Sequence, residues 1–283
     1  MACAAPAILL AGCGSAAHTV AQKTFSTTRA AAIVISSTTA ATASSTATTP
    51  TTTRRTNTRR HLAKLPLAGR TVGIDPGHNG RNYTDPGFID HLIWNGREME
   101  TCNTTGTETD GGYTEAQFNF NVATDLSADL RAQGARVVMT RHNNHGVGPC
   151  VNVRAAIINR SHANVAIDIH ADGGPPGGRG VAILEPVADG PNHHIIGRSK
   201  RFGRDVLHQM ETVAHMPPST YDGVDGVVFR DDLAGLNLTR IPEVLIESGN
   251  MRNATDAAML TSTSFQHREA LALDRAIREF LGR

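Results

Sequence analysis

From residue 67 to the C-terminus, short apolar runs alternate with longer amphipathic stretches, and no other feature limits the fold as much. Residues 70–75 read as a strand. Residues 117–133 read as a helix, because Phe118, Val122, Leu126 and Leu130 recur every four positions and Gly134 follows as a stop. Further strands are expected over 135–140, 165–169, 180–184, 227–230 and 242–247, and further helices over 153–161, 195–214, 254–260 and 265–281. Strands that alternate with helices predict an α/β fold. It should be a single domain, residues 67–283, whose twisted, mostly parallel central sheet carries helices on both faces.

The earlier residues obey other rules. Residues 1–23 are small and apolar at first, and Leu10-Ala-Gly-Cys13 resembles a lipobox. They read as an export leader, with Cys13 as the lipid anchor point and the one route to a membrane. The apolar run is too short to cross a bilayer as a helix. Residues 24–66 are rich in Thr, Ala and Ser. Too few large apolar groups are present to offset the chain entropy of folding, so a disordered linker is expected. Charge divides at the same place. Eight of the 27 basic residues and none of the 26 acidic ones precede Asp75, which leaves 19 basic against 26 acidic groups in the folded part. An acidic domain behind a basic leader argues against nucleic-acid binding, whose basic patch would sit on the domain itself. The protein is expected to be exported, to the periplasm, the cell wall or the outer face of the membrane, and to be a monomer. In such a compartment Cys102 and Cys150, an isolated pair in Gly/Asn/Thr-rich sequence, read as a disulfide.

In α/β sheets, reacting groups gather beyond the C-terminal ends of the parallel strands. Three strands here end in chemistry: Asp75-Pro-Gly-His78-Asn-Gly80, Asp168-Ile-His170-Ala-Asp172 and Glu247-Ser-Gly-Asn250. Glu115 opens the first long helix. Two imidazoles and a carboxylate suit Zn2+ and leave a position for water, and a further carboxylate nearby could move a proton. On the residues alone, Glu98, Glu100 and Glu108 compete with Glu115. Glu243 competes with Glu247, because four positions apart on a strand they share a face. His208-Gln-Met-Glu211 has the spacing of a zinc motif but lies in a helix rich in Arg and Lys, where a solvated face is expected. His142 and His145 occupy a Gly/Asn loop. The glycine-rich run 173–178 lacks the Lys-Ser/Thr of a phosphate loop, and there is no Gly-x-Ser-x-Gly elbow or dinucleotide fingerprint.

Four motifs in order carry a resemblance. They are Ile74-Asp-Pro-Gly-His78-Asn-Gly80, Thr114-Glu115-Ala-Gln-Phe-Asn119 with Val138-Met-Thr-Arg141, Ile167-Asp-Ile-His170-Ala-Asp172, and Val244-Leu-Ile-Glu247-Ser-Gly-Asn250-Met-Arg-Asn253. Over roughly residues 69–282 the chain resembles the zinc-dependent N-acetylmuramoyl-L-alanine amidases of the Amidase_3 type, and the mycobacterial peptidoglycan amidases look nearest. The resemblance implies Zn2+ held by His78, Glu115 and His170, with Glu247 as the catalytic acid and base. It implies a peptidoglycan or muropeptide substrate, cut between N-acetylmuramic acid and L-alanine. Two positions depart from the family pattern: Asp168 stands where Ser is usual, and Ser248-Gly249 where Gly-Phe is usual. Neither removes a ligand. The insert 81–113, with the single tryptophan Trp94, either borders the cleft or is a surface loop without a role. Two other readings stay open: a zinc carboxypeptidase acting on stem peptides, and a wall-binding lipoprotein with a vestigial site.

Overall fold

The computed structural model describes residues 65–188 and 190–283, so the leader and nearly all of the linker lie outside the described residues. In chain order the elements are β1 (Thr71–Pro76), α1 (Pro86–Ile89), β2 (Leu92–Trp94), β3 (Met99–Thr101), α2 (Glu115–Ala132) and β4 (Arg136–Met139). Then follow α3 (Val151–Ser161), β5 (Val165–Asp172), β6 (Ala182–Pro186), α4 (Ile196–Gln209) and β7 (Val227–Arg230). The chain closes with α5 (Ala234–Leu238), β8 (Glu243–Asn250), α6 (Ala254–Leu260) and α7 (Thr263–Phe280). Six strands form one sheet in the order β4-β1-β5-β8-β6-β7, and β2 and β3 make a separate hairpin. All neighbours in the large sheet are parallel except β6 and β8. The expected α/β architecture is observed.

The sheet has two unlike faces. On the first, Val72, Ile74, Val165, Ile167, Ile169, Val244 and Ile246 pack under three helices. Helix α2 contributes Phe118, Val122, Leu126 and Leu130, each fully buried, along one helical stripe. Helices α4 and α7 add Phe202, Val206, Phe265, Leu273 and Ile277 to the same cluster. The second face is covered by α3 and α5. Leu236 of α5 packs on Ala182, Leu184 and Leu245, and α3 comes so close that a Cβ at Gly73 would lie 2.7 Å from Ile158 Cδ1. Because side chains alternate along a strand, Asp75 of β1, Asp168, His170 and Asp172 of β5, and Glu243 and Glu247 of β8 all belong to this second face.

Several boundaries differ from the periodicity reading. Strand β5 reaches Asp172 and β8 reaches Asn250, each three residues further than expected. The two strands go on pairing through His170↔Glu247 and, past a register shift, Asp172↔Asn250. The Asn250 side-chain amide then donates to the carbonyls of Pro175 and Gly178, which fixes the strand end. Helix α2 starts at Glu115 rather than 117, because Thr114 caps it by accepting from the Gln117 amide at 3.4 Å. The helix expected over 195–214 ends in a π-helical turn, Met210–Ala214. Among the described residues no helix is long and apolar enough to cross a membrane.

Candidate active site

The turn after β1 is held by two buried arginines. Arg154 of α3 donates to Asp75 Oδ1 at 2.6 Å and to the carbonyls of Pro76 and His78 at 2.7 and 2.6 Å. Arg141, two residues beyond β4, donates to the carbonyls of Pro76, Gly77 and Ala116 at 2.8, 3.1 and 2.8 Å. Burial and the neighbouring Arg154 charge pull Arg141 down to about 9. These bonds join the end of β1 to the start of α2 and so bring His78 next to Glu115. His78 itself adopts φ 55°, a left-handed conformation that a non-glycine residue keeps only when its surroundings fix it. Gly77 is required for a different reason: a Cβ there would strike the His170 imidazole.

Three ligand-type atoms converge. Glu115 Oε1 lies 3.1 Å from His78 Nε2 and 2.8 Å from His170 Nδ1. The two rings meet edge to face, with centroids 4.8 Å apart. The atoms offered by His78, Glu115 and His170 all lie within 4.8 Å of one another. Each group is also held from behind. His78 Nδ1 lies 3.1 Å from the Thr104 carbonyl, Glu115 Oε2 accepts from the Thr107 amide at 2.9 Å, and His170 Nε2 lies 3.3 Å from Asp168 Oδ1. Burial raises the Glu115 carboxyl, but the imidazoles of His78 and His170 outweigh it and hold the group well below the usual carboxylate range. Burial lowers His170, yet Asp168 and Glu115 outweigh that and hold it well above 6.5. Two imidazole nitrogens and an ionised carboxylate oxygen, close together with their outer atoms already engaged, form a donor set that fits zinc.

Glu247 pairs in register with His170 on the adjacent strand. It lines a cleft of about 340 Å³ together with His78, Glu115 and His170, and Arg230 and Leu233 form part of the same wall. Its Oε2 is buried and makes no hydrogen bond within the protein. Burial pushes its carboxyl well above 4.5, helped by Glu115, Asp172 and Asp168 and opposed by His170. A carboxyl raised in this way can both take and return a proton. Glu243 shares the strand face but is buried deeper and does not line this cleft.

The competing residues go elsewhere. Glu100 lines an adjoining recess of about 170 Å³ that His78 and His170 also border, where its carboxylate accepts from the Ala234 amide at 3.2 Å. Neither Glu98 nor Glu108 joins the histidine pair. His142 and His145 line a separate hollow against α2 and α7. His208 and Glu211 are exposed, as their helix composition suggests. The insert 81–113 does border the site. Asn103 and Thr104 line the recess, and Gly106 and Thr107 line the cleft. Gly106 has φ 77°, and a Cβ there would lie 2.7 Å from Glu115 Oε2. Cys102 and Cys150 form a disulfide that ties this insert to the start of α3. The periodicity reading missed Arg154, the Thr104 carbonyl and the contact made by Asp168. A buried aspartate such as Asp75 at a strand end implies a partner, but nothing local in the sequence says that Arg154, 79 positions away, supplies it.

Comparisons with known proteins give the family. The family model described as N-acetylmuramoyl-L-alanine amidase matches residues 72–279. The chain is 38% identical over 216 residues to N-acetylmuramoyl-L-alanine amidase Rv3717 of Mycobacterium tuberculosis, which covers 76% of this chain and 88% of the relative. Among solved structures it is similar to the N-acetylmuramyl-L-alanine amidase Ami1 of Mycobacterium smegmatis, with 39% identity, a TM-score of 0.71, and coverage of 76% of this chain and 98% of that one. The apo form of Ami1 from Mycobacterium abscessus gives 39% identity and a TM-score of 0.72, with 76% and 100% covered.

Proposed function

Because the chain belongs to the N-acetylmuramoyl-L-alanine amidase family, we propose that it is a zinc-dependent hydrolase of the amide between N-acetylmuramic acid and L-alanine in peptidoglycan. The observation that carries the zinc reading is the convergence of His78 Nε2, Glu115 Oε1 and His170 Nδ1 beside the carboxyl of Glu247. Zinc bound to these three would act as a Lewis acid toward the scissile carbonyl and lower the pKa of water.

The chain's own groups supply the rest. Glu247 takes a proton from the attacking water as oxygen adds to the lactyl carbonyl carbon. It then delivers that proton to the alanine nitrogen as the C–N bond breaks, which leaves a lactyl carboxylic acid and a free stem-peptide amine. Arg230 and Leu233 border the cleft and limit how the substrate enters. The protein acts on the wall polymer outside the cytoplasmic membrane and as a monomer. Lipidation at Cys13, which lies outside the described residues, is tested by mass spectrometry of the N-terminal peptide.

The deciding experiment incubates the zinc-loaded protein with a muropeptide and identifies the products by mass spectrometry. Free stem peptide and intact N-acetylmuramic acid are expected. Shortening of the peptide from its C-terminus would favour a carboxypeptidase, and no release at all with stoichiometric zinc would overturn the enzymatic reading.

A further inference from the structure

The two histidines of the triad use different nitrogens. His78 turns Nε2 to Glu115, and the carbonyl of Thr104 occupies its Nδ1. His170 is reversed: Nδ1 faces Glu115, and Nε2 faces Asp168 Oδ1. A carbonyl oxygen stands behind the first ring and a carboxylate behind the second. Asp168 and His170 are two positions apart on β5, so the strand pleat itself sets them side by side on the second face. The Asp168 side chain is 13% exposed, and its buried Oδ1 has no hydrogen-bond partner; the nearest donor-type atom is His170 Nε2, 3.3 Å away. On one side of the His170 ring, the space that a Cβ at Gly77 would need is already filled by the ring. Glu115 on one nitrogen, Asp168 on the other and Gly77 against the ring set its orientation, which leaves the question of which nitrogen carries the proton.

We infer that Asp168 is a positioning residue for the zinc site, which holds His170 as the tautomer protonated on Nε2 so that the Nδ1 lone pair is presented with Glu115 Oε1 and His78 Nε2. The physical warrant is general. A group that accepts from the outer nitrogen of a ligating histidine fixes its tautomer and orientation and raises its basicity. An anion does this more strongly than a neutral acceptor. A serine at this position could accept a bond but would bring no charge, so the parent site is expected to hold zinc more tightly than an Asp168→Ser variant would. A buried carboxylate needs compensation. Arg154 supplies positive charge close by, through its pair with the neighbouring Asp75.

This inference rests on the zinc reading above, and its test separates the two. The affinity of the whole protein for zinc alone is measured by competition with a chromophoric chelator, for the parent, Asp168→Ala, Asp168→Asn, Asp168→Ser and a control, Glu243→Gln. The control alters another buried acid of the same face that lines neither cleft nor recess. Asp168→Ala is expected to weaken zinc by about 10- to 100-fold, the usual consequence of losing such an outer partner. Asp168→Asn and Asp168→Ser, which retain an acceptor without charge, should fall between it and the parent. Glu243→Gln should match the parent. Nitrogen NMR of the zinc-loaded parent should show His170 protonated at Nε2. Parent-like zinc affinity in Asp168→Ala, equal loss in Glu243→Gln, or a His170 ring protonated at Nδ1 would each overturn the assignment while the zinc reading stands. Failure of the parent itself to bind zinc would overturn both. Should Asp168→Ala not fold, Asp168→Asn and the NMR measurement decide the matter.

Discussion

The two faces of the central sheet are made by the same strands and do opposite work. The face under α2, α4 and α7 is buried and mainly apolar. The face under α3 and α5 carries Asp75, Asp168, His170, Glu243 and Glu247 in alternate positions of strands whose opposite face is mostly Ile and Val. Helices α3 and α5 are short and leave the C-terminal strand ends open to the cleft. What the contrast teaches is that one period-2 pattern can specify a core and a reaction site together, provided each stays on its own side.

Changes on the two faces should separate function from stability. Glu247→Ala should lower the rate of stem-peptide release by about 10²- to 10⁴-fold, the range for loss of a general acid–base group, with zinc content and melting temperature close to the parent. Retained turnover would show that proton transfer lies elsewhere. On the opposite face, Phe118→Ala should cost about 3–5 kcal/mol of stability in denaturant unfolding, while the folded fraction keeps its zinc and its turnover. A smaller effect is expected where the insert meets the second face. Replacing both Cys102 and Cys150 by Ala should destabilise by about 2–5 kcal/mol. It should also weaken zinc binding, because Thr104, two residues past Cys102, holds His78.

The mildest test concerns an acid on the dry face. Glu269 of α7 is fully buried, and Ser248 Oγ donates to it at 2.5 Å. Burial raises it from 4.5 to about 8. The folded state thus keeps a proton that the unfolded chain releases, so this group's contribution to stability is intact below pH 4.5 and is lost as pH rises towards 8. Glu269→Gln should flatten that slope and make the protein more stable than the parent near pH 8. An unchanged slope would mean that Glu269 is ionised in the folded protein.

Most of the fold was legible in the sequence because its dry face is long and strictly periodic. Phe118, Val122, Leu126 and Leu130 announce α2, and the aliphatic runs announce β5 and β8. The boundaries were less legible where tertiary contacts extend an element, as when Asn250 is anchored by loop carbonyls. At the site, His78, His170 and Glu247 stood out as polar residues ending apolar strands. Glu115 needed its motif, since Glu100 and Glu108 looked equally suitable from composition. The roles of Arg154 and Thr104 could not be read at all. Their partners lie 79 and 26 positions away, at Asp75 and His78, and no periodicity links residues across such distances.

The register of β8 against β5 has a consequence for quality control of the fold. His170 faces Glu247 only while each residue keeps its assigned partner. Sliding β8 by a single residue would turn Glu247 into the helices' apolar layer and present Ile246 or Ser248 to the cleft. A mispaired molecule would therefore be catalytically silent as well as unstable. On the function proposed above, activity per folded molecule thus counts correctly registered molecules, which gives a direct way to grade preparations of this protein refolded under different conditions.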